Sequence, residues 1–200
     1  MISKELYLEI THKYGEYASW AVWANEGVKP KSNIGDMSVF DLNINPSILD
    51  ILNPNIIMVG LNFSRAVSPT PFSNFHDARP QSQDYKLRYA FRNTPYYGAY
   101  MTDIIKDFEE KVSGNVKAYL KKNIDFELYN IDLFKKEIAD LNCENPLIIA
   151  FGNMTFDLLN KYFGATYSIQ KVMHYSQQIS KEKYKAVIWE TLKLNKAITH

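Results

Sequence analysis

Asn53-Pro54-Asn55-Ile56-Ile57-Met58-Val59-Gly60-Leu61-Asn62-Phe63-Ser64 is the stretch from which the fold can be read. A short apolar run rich in β-branched residues, opened by Asn-Pro and broken at Gly60, predicts a buried strand. Its exit is unlike that of a plain core strand, because a polar amide (Asn62), an aromatic (Phe63) and a hydroxyl (Ser64) follow the glycine at once. In an open α/β sheet the residues just past a strand's carboxyl end border the ligand crevice. Asn62 is therefore the first candidate for an active site. The bland alternative is an amide that caps the turn after Gly60.

Working outward, similar apolar runs recur. Residues 97–105 predict a second buried strand that ends on polar Thr102 and Asp103, and residues 146–152 a third with a glycine exit. A shorter, less apolar fourth strand over 168–173 delivers His174-Tyr175-Ser176-Gln177-Gln178-Ile179-Ser180. Helical spacing with start or stop signals marks residues 3–14, 48–52, 84–93 (bearing Lys86, Arg88 and Arg92), 125–141, 153–163 and 181–192. Between these elements, residues 17–23 are aromatic-rich and expected to cover the edge of the core. Residues 27–46 form a surface connection, and 108–123 a charged surface excursion. Residues 65–80 have no periodicity; three prolines are expected to keep them extended, and so long a loop in a compact domain is more often functional than idle. Helices alternating with continuous apolar strands predict an α/β fold: a three-layer α/β/α sandwich around a mostly parallel, four-stranded sheet. One domain spans 1–200, with 1–52 a helical and aromatic cap and 53–192 the α/β core. The strand order is not legible.

Composition narrows the function. Apolar content of 46% and charged content of 22% are those of an ordinary globular chain. Cys143 is the only cysteine, which excludes a disulfide framework, an iron–sulfur cluster and a cysteine zinc site within one chain. His12, His76, His174 and His200 lack ligand spacing, so no metal and no cofactor are expected. No apolar stretch is long enough to span a membrane, and an intracellular, cytoplasmic monomer is the simplest expectation. A net charge of +1 leaves nucleic acid open, since a local patch can bind phosphates on a neutral protein.

The three polar strand ends, Gly60-Leu61-Asn62-Phe63-Ser64, Met101-Thr102-Asp103 and His174-Tyr175-Ser176-Gln177-Gln178-Ile179-Ser180, resemble the uracil-DNA glycosylase superfamily in order and character. There the first strand ends in Gly-x-Asn-Pro-Gly/Ser or Gly-x-Asp-Pro, a middle strand in Thr-Asn or a similar pair, and a late strand in His-Pro-Ser or Asn-Pro-Ser. The resemblance covers about residues 53–192 and rests on short motifs. It implies a DNA glycosylase that flips a nucleotide out of the duplex, hydrolyses its N-glycosidic bond and leaves an abasic site.

The residues fit that chemistry on physical grounds. Cleavage passes through an oxocarbenium-like sugar and a departing anionic base, so a site needs a group to orient water and a donor to the base oxygen. Asn62 can accept from the water; His174 can donate to the base. A flipped base is stacked on an aromatic and read at its Watson–Crick edge. Phe75 is the expected stacking residue, with Phe63 and Phe72 as rivals, and Thr102 and Asp103 lie at the base-reading position. Ser64 and Ser176 are placed to donate to flanking phosphates. Gln177, Gln178 and Ile179 occupy the positions where the family inserts a wedge into the vacated stack. Lys171 and Lys181, with Lys183 and Lys185, would add phosphate contacts. An ordinary solvated helix face also accounts for the last three.

Asp103 departs from the uracil-specific pattern, which commonly carries asparagine there. An ionised aspartate only accepts; it would repel uracil O4 but accept from the N4 amino group of cytosine. A modified cytosine is therefore the alternative to uracil, unless Asp103 is protonated or turned away. Phe63 and Tyr175 stand where the family carries loop prolines, so its substrate rules do not transfer directly. The competing expectations are a catalytically weak or inactive glycosylase-like module that binds DNA or protein, and a small-ligand enzyme. The latter lacks any G-x-G-x-x-G or G-x-x-x-x-G-K-[ST] segment.

Overall fold

The computed structural model describes residues 1–63 and 70–194. Among these the chain forms seven α-helices and a five-stranded mixed sheet. In order these are α1 (Lys4–Tyr14), β1 (Ser19–Trp20), a 3-10 turn (Met37–Phe40), α2 (Ile48–Ile51), β2 (Asn53–Asn62), α3 (Tyr85–Phe91), β3 (Ala99–Ile105), α4 (Ser113–Lys122), α5 (Ile124–Asp140), β4 (Leu147–Phe151), α6 (Asn153–Phe163), β5 (Ile169–Val172) and α7 (Lys181–Thr191). The sheet order is β1-β3-β2-β4-β5, with β1 antiparallel to β3 and the other pairs parallel.

The predicted α/β sandwich holds, and the strand count is corrected from four to five. The additional strand is Ser19–Trp20, inside the aromatic stretch expected at the core's edge. Two residues are too few for a period-two signal, and β1 exists because β3 offers it an edge, Ser19 facing Met101 and Trp20 facing Tyr100. Trp20 is completely buried, its ring edge-on to Tyr100 at 5.0 Å.

Side-chain alternation along the strands sorts the core into two faces. Ile57, Val59 and Leu61 of β2, with Ile148 and Ala150 of β4, pack on the side covered by α1, α4, α5 and α6. Met58, Met101, Ile149, Phe151 and Val172 pack on the other, beneath α3 and α7. Gly60 and Asn62 share the parity of Met58; Asp103 shares that of Met101. All three therefore belong to the α3/α7 side.

Three further expectations are corrected. The second strand, predicted over 97–105, begins at Ala99 and holds Thr102 and Asp103 inside it, two residues short of its end at Ile105. The charged excursion contains α4, whose Val116 and Leu120, one turn apart, are its buried stripe. The proline-bearing loop is not extended in its described part: residues 70–75 turn back on themselves, with Phe72 and Phe75 at φ 64° and 63° and both side chains buried.

Candidate active site

At the carboxyl ends of β2, β4 and β5 a cleft of about 920 Å³ opens on the α3/α7 side. It is lined by Asn62, Phe63, Asn74, Phe75, Asp103, His174, Tyr175, Ser176 and Gln177, among others. Segments more than a hundred residues apart in sequence converge here because parallel strands all present their carboxyl ends on one side of the sheet.

Asn62 ends β2 with its amide orientation fixed. Its Nδ2 lies 2.9 Å from each of three backbone carbonyls, those of Phe63, Phe108 and Glu110. Carbonyls only accept, so the nitrogen must face them and Oδ1 must face away. Among the described residues no donor is bound to Oδ1, and Asn62 presents an acceptor to the cleft.

His174 follows β5 and is held from below. The backbone N–H of Ser176 donates to Nδ1 at 3.1 Å, and the Ser176 hydroxyl lies 2.8 Å from the same atom. A backbone N–H cannot accept, so Nδ1 is unprotonated and the neutral ring carries its proton on Nε2. Burial pushes the imidazole down to about 4, which keeps it neutral at pH 7. Its ring stacks on Tyr175 at 4.4 Å. Tyr175 in turn meets Phe151 and Phe75 edge-on, at 5.5 and 6.3 Å. Gly152 faces this loop from the end of β4; its φ of 88° favours glycine, while a Cβ there would meet the His174 side chain at an ordinary 3.5 Å.

Asp103 lies opposite Gly60 in the β2–β3 register and is 4% exposed. A Cβ at Gly60 would overlap Asp103 Oδ1, so the glycine makes room for that carboxyl; the Phe75 ring would lie at an ordinary 3.5 Å. Oδ2 accepts from Asn74 Nδ2 at 3.0 Å. Burial pushes the carboxyl up to about 6, against the opposing influence of the Asn74 hydrogen bond and the Lys106 charge.

The remaining expectations divide. Phe75 and Phe63 both line the cleft; Phe63 is also stacked on Tyr17 at 5.8 Å. Phe72 is corrected, because it lies in the opposite core against Tyr7 and Phe40. Thr102 is corrected too. It is fully buried, and its Oγ1 accepts from Lys106 Nζ at 2.6 Å, on the face of β3 opposite Asp103. Period two alone forbids adjacent strand residues from reading one base edge.

Ser176 is occupied beneath His174, while Gln177 and Gln178 form an exposed tip. Ile179 is instead partly buried against the α3/α7 core, so the tip projects only the two glutamines. Lys171 and Lys181 do not line the cleft. Lys171 lies over the Phe156 ring at 5.5 Å, and Lys181 pairs with Glu26 at 3.3 Å and covers Tyr89 at 4.2 Å. Lys185 covers Tyr89 and Trp189. Ser64 lies outside the described residues.

Two participants escaped the sequence reading. Asn74 had only its place in a long loop to signal it. Lys86 stands in the sequence only as one of three cations on the helix predicted over 84–93; it is buried and its Nζ donates to Gln177 O at 2.7 Å, tying the late loop to α3. Among the described residues no group of three or more His, Cys, Asp or Glu could hold a metal ion, and no helix is long and apolar enough to cross a membrane. Neither a protein-family model, nor a curated protein, nor a solved structure matches the chain.

Proposed function

We propose that this protein is a monofunctional DNA glycosylase that hydrolyses the N-glycosidic bond of a flipped-out pyrimidine and leaves an abasic site. The observation that carries the reading is one cleft containing both an acceptor with fixed orientation, Asn62 Oδ1, and a neutral Nε2–H donor, His174. Asn62 holds a water for attack on the sugar carbon as the oxocarbenium character develops. His174 donates to the base oxygen on which negative charge accumulates. A neutral donor suits this task, because it stabilises the departing anion without surrendering its proton.

Phe75 and Tyr175 supply apolar and aromatic walls for a planar base. The C–N bond breaks as water oxygen bonds to the sugar carbon; the base leaves with the bonding pair, and a water proton balances it. The acceptor character of Asp103 favours a cytosine over uracil, and a modification at the C5 edge would separate the target from ordinary cytosine. The exposed tip at Gln177 and Gln178 enters the vacated base stack, while the Ser176 hydroxyl stays on His174 Nδ1.

The test is a panel of duplexes carrying uracil, mismatched thymine or C5-modified cytosines, heated with alkali to cut at abasic sites. We expect strand cleavage for at least one lesion, and its loss in Asn62→Ala by about a hundredfold or more, the scale of removing one transition-state contact. DNA binding by that variant stays within a few-fold of wild type. Cleavage at no lesion, or an undiminished Asn62→Ala enzyme, would refute the reading.

A further inference from the structure

Every polar atom of the Asn74 side chain is committed. One Nδ2 hydrogen goes to the Tyr17 carbonyl at 2.9 Å and the other to Asp103 Oδ2 at 3.0 Å. Oδ1 accepts from the backbone N–H of Phe75 at 3.0 Å. The Phe75 N–H can only donate and the Tyr17 carbonyl can only accept, so the amide cannot turn over. The consequence falls on Asp103. Its Oδ2 is taken, and its Oδ1 is left over Gly60; Asp103 and Phe75 both line the cleft. No donor among the described residues is bound to that oxygen.

We propose that Asn74 is a positioning residue that decides which base the cleft accepts. By holding Oδ2, it aims Oδ1 of Asp103 at the pocket as a fixed acceptor. That selects a pyrimidine bearing an exocyclic amino group over one with a carbonyl at the same ring position. The inference rests on the reading of this cleft as a base pocket. A carboxylate oxygen accepts from amino hydrogens and offers nothing to a carbonyl.

The pairing can be inverted. In Asp103→Asn, Asn74 still donates, so the introduced amide must give its oxygen to Asn74 and turn its NH2 to the pocket; the preference should reverse toward the carbonyl-bearing base. Adding Asn74→Asp reverses the pair again. The carboxylate at position 74 takes the NH2, the amide oxygen faces the pocket, and the amino preference returns.

Wild type, Asp103→Asn and the double variant Asn74→Asp/Asp103→Asn are compared in two measurements. One is excision of 5-methylcytosine against uracil from otherwise identical duplexes. The other is binding of free cytosine against free uracil, followed by ligand-observed NMR. We expect the amino-to-carbonyl ratio to fall about tenfold or more in Asp103→Asn, the size of a base-edge hydrogen bond, and to recover in the double variant. A merely structural asparagine would not produce recovery. A ratio unmoved by Asp103→Asn, or still reversed in the double variant, overturns the role of Asn74. If nothing is excised yet the free-base ratio still reverses and recovers, the glycosylase reading falls and the role of Asn74 stands. If no base is excised or bound, both fall. Thermal unfolding monitors each variant. Should the double variant not fold, Asn74→Ala/Asp103→Asn replaces it: without a donor at 74 the introduced amide is free to turn, so the reversal must shrink, and an undiminished reversal overturns the proposal.

Discussion

Asp103 and His174, the titrating side chains given roles in the proposed reaction, are shifted in opposite directions by the same cause. Burial disfavours the charged form of each, raising Asp103 to about 6 and lowering His174 to about 4. A carboxyl whose folded pKa exceeds its unfolded value near 3.8 contributes stability that is complete below pH 3.8 and is lost as pH rises through 6. A histidine depressed in the folded state contributes the reverse, stability present above 6.5 and lost as pH falls through 4. The two slopes oppose each other between pH 4 and 6.5, and single variants separate them. Asp103→Asn should therefore make stability rise with pH over that window, by an amount on the order of 2–3 kcal/mol, measured by chemical denaturation at a series of pH values. For the proposed reaction, excision of an amino-bearing base should increase with pH about a midpoint near 6, as Asp103 ionises beside Lys106, Glu137 and Asp84. That midpoint should vanish in Asp103→Asn. His174, neutral well below this range, adds no inflection.

At the scale of elements, the late loop is placed by α3 as much as by β5. Ser180 caps α7 by accepting from the Lys183 N–H at 3.2 Å, and Lys86 reaches up from α3 to the Gln177 carbonyl. A hydrogen bond from a charged donor is worth about 1.5–3 kcal/mol, but burying the ammonium costs a comparable amount. Lys86→Met should therefore leave global stability within about 1 kcal/mol of wild type, while amide exchange in residues 175–179 quickens roughly tenfold or more as the loop loses its tether. Exchange followed by mass spectrometry checks this, and unchanged protection would show that the loop is held by Tyr175 packing alone.

At the scale of the molecule, the cleft on one side of the sheet is backed by a buried polar network on the other. Lys106 Nζ lies 2.8 Å from Glu137 Oε2, both side chains being 5% exposed or less, and Tyr100 donates to Glu137 Oε1 at 2.6 Å. Lys106 also bonds Thr102 and the Asp103 carbonyl, so the network fixes the strand on which the candidate base reader stands. Removing one partner leaves the other charged and buried. Lys106→Met should cost about 3–5 kcal/mol in denaturant unfolding. It should also move the Asp103 midpoint upward, since the Lys106 charge favours the ionised carboxyl.

What the amino-acid order determined is what local physics can encode. Periodicity and caps fixed α1, α5, α6, α7 and the apolar cores of β2, β3, β4 and β5, and the polar exits Asn62 and His174 were visible because glycine and polar residues interrupt apolar runs. Thr102 could have been excluded by alternation, since it and Asp103 are adjacent in a strand. What only the tertiary structure decided depends on partners distant in sequence. Strand β1 exists through its pairing with β3, Phe72 and Phe75 are sent to opposite cores by left-handed turns, and Lys86 is buried with its ammonium donating a hydrogen bond to the Gln177 carbonyl. The Asn74–Asp103 pair joins residues 29 positions apart. No pattern in either segment announces the other, because a hydrogen bond between a loop and a strand leaves no periodicity in the chain.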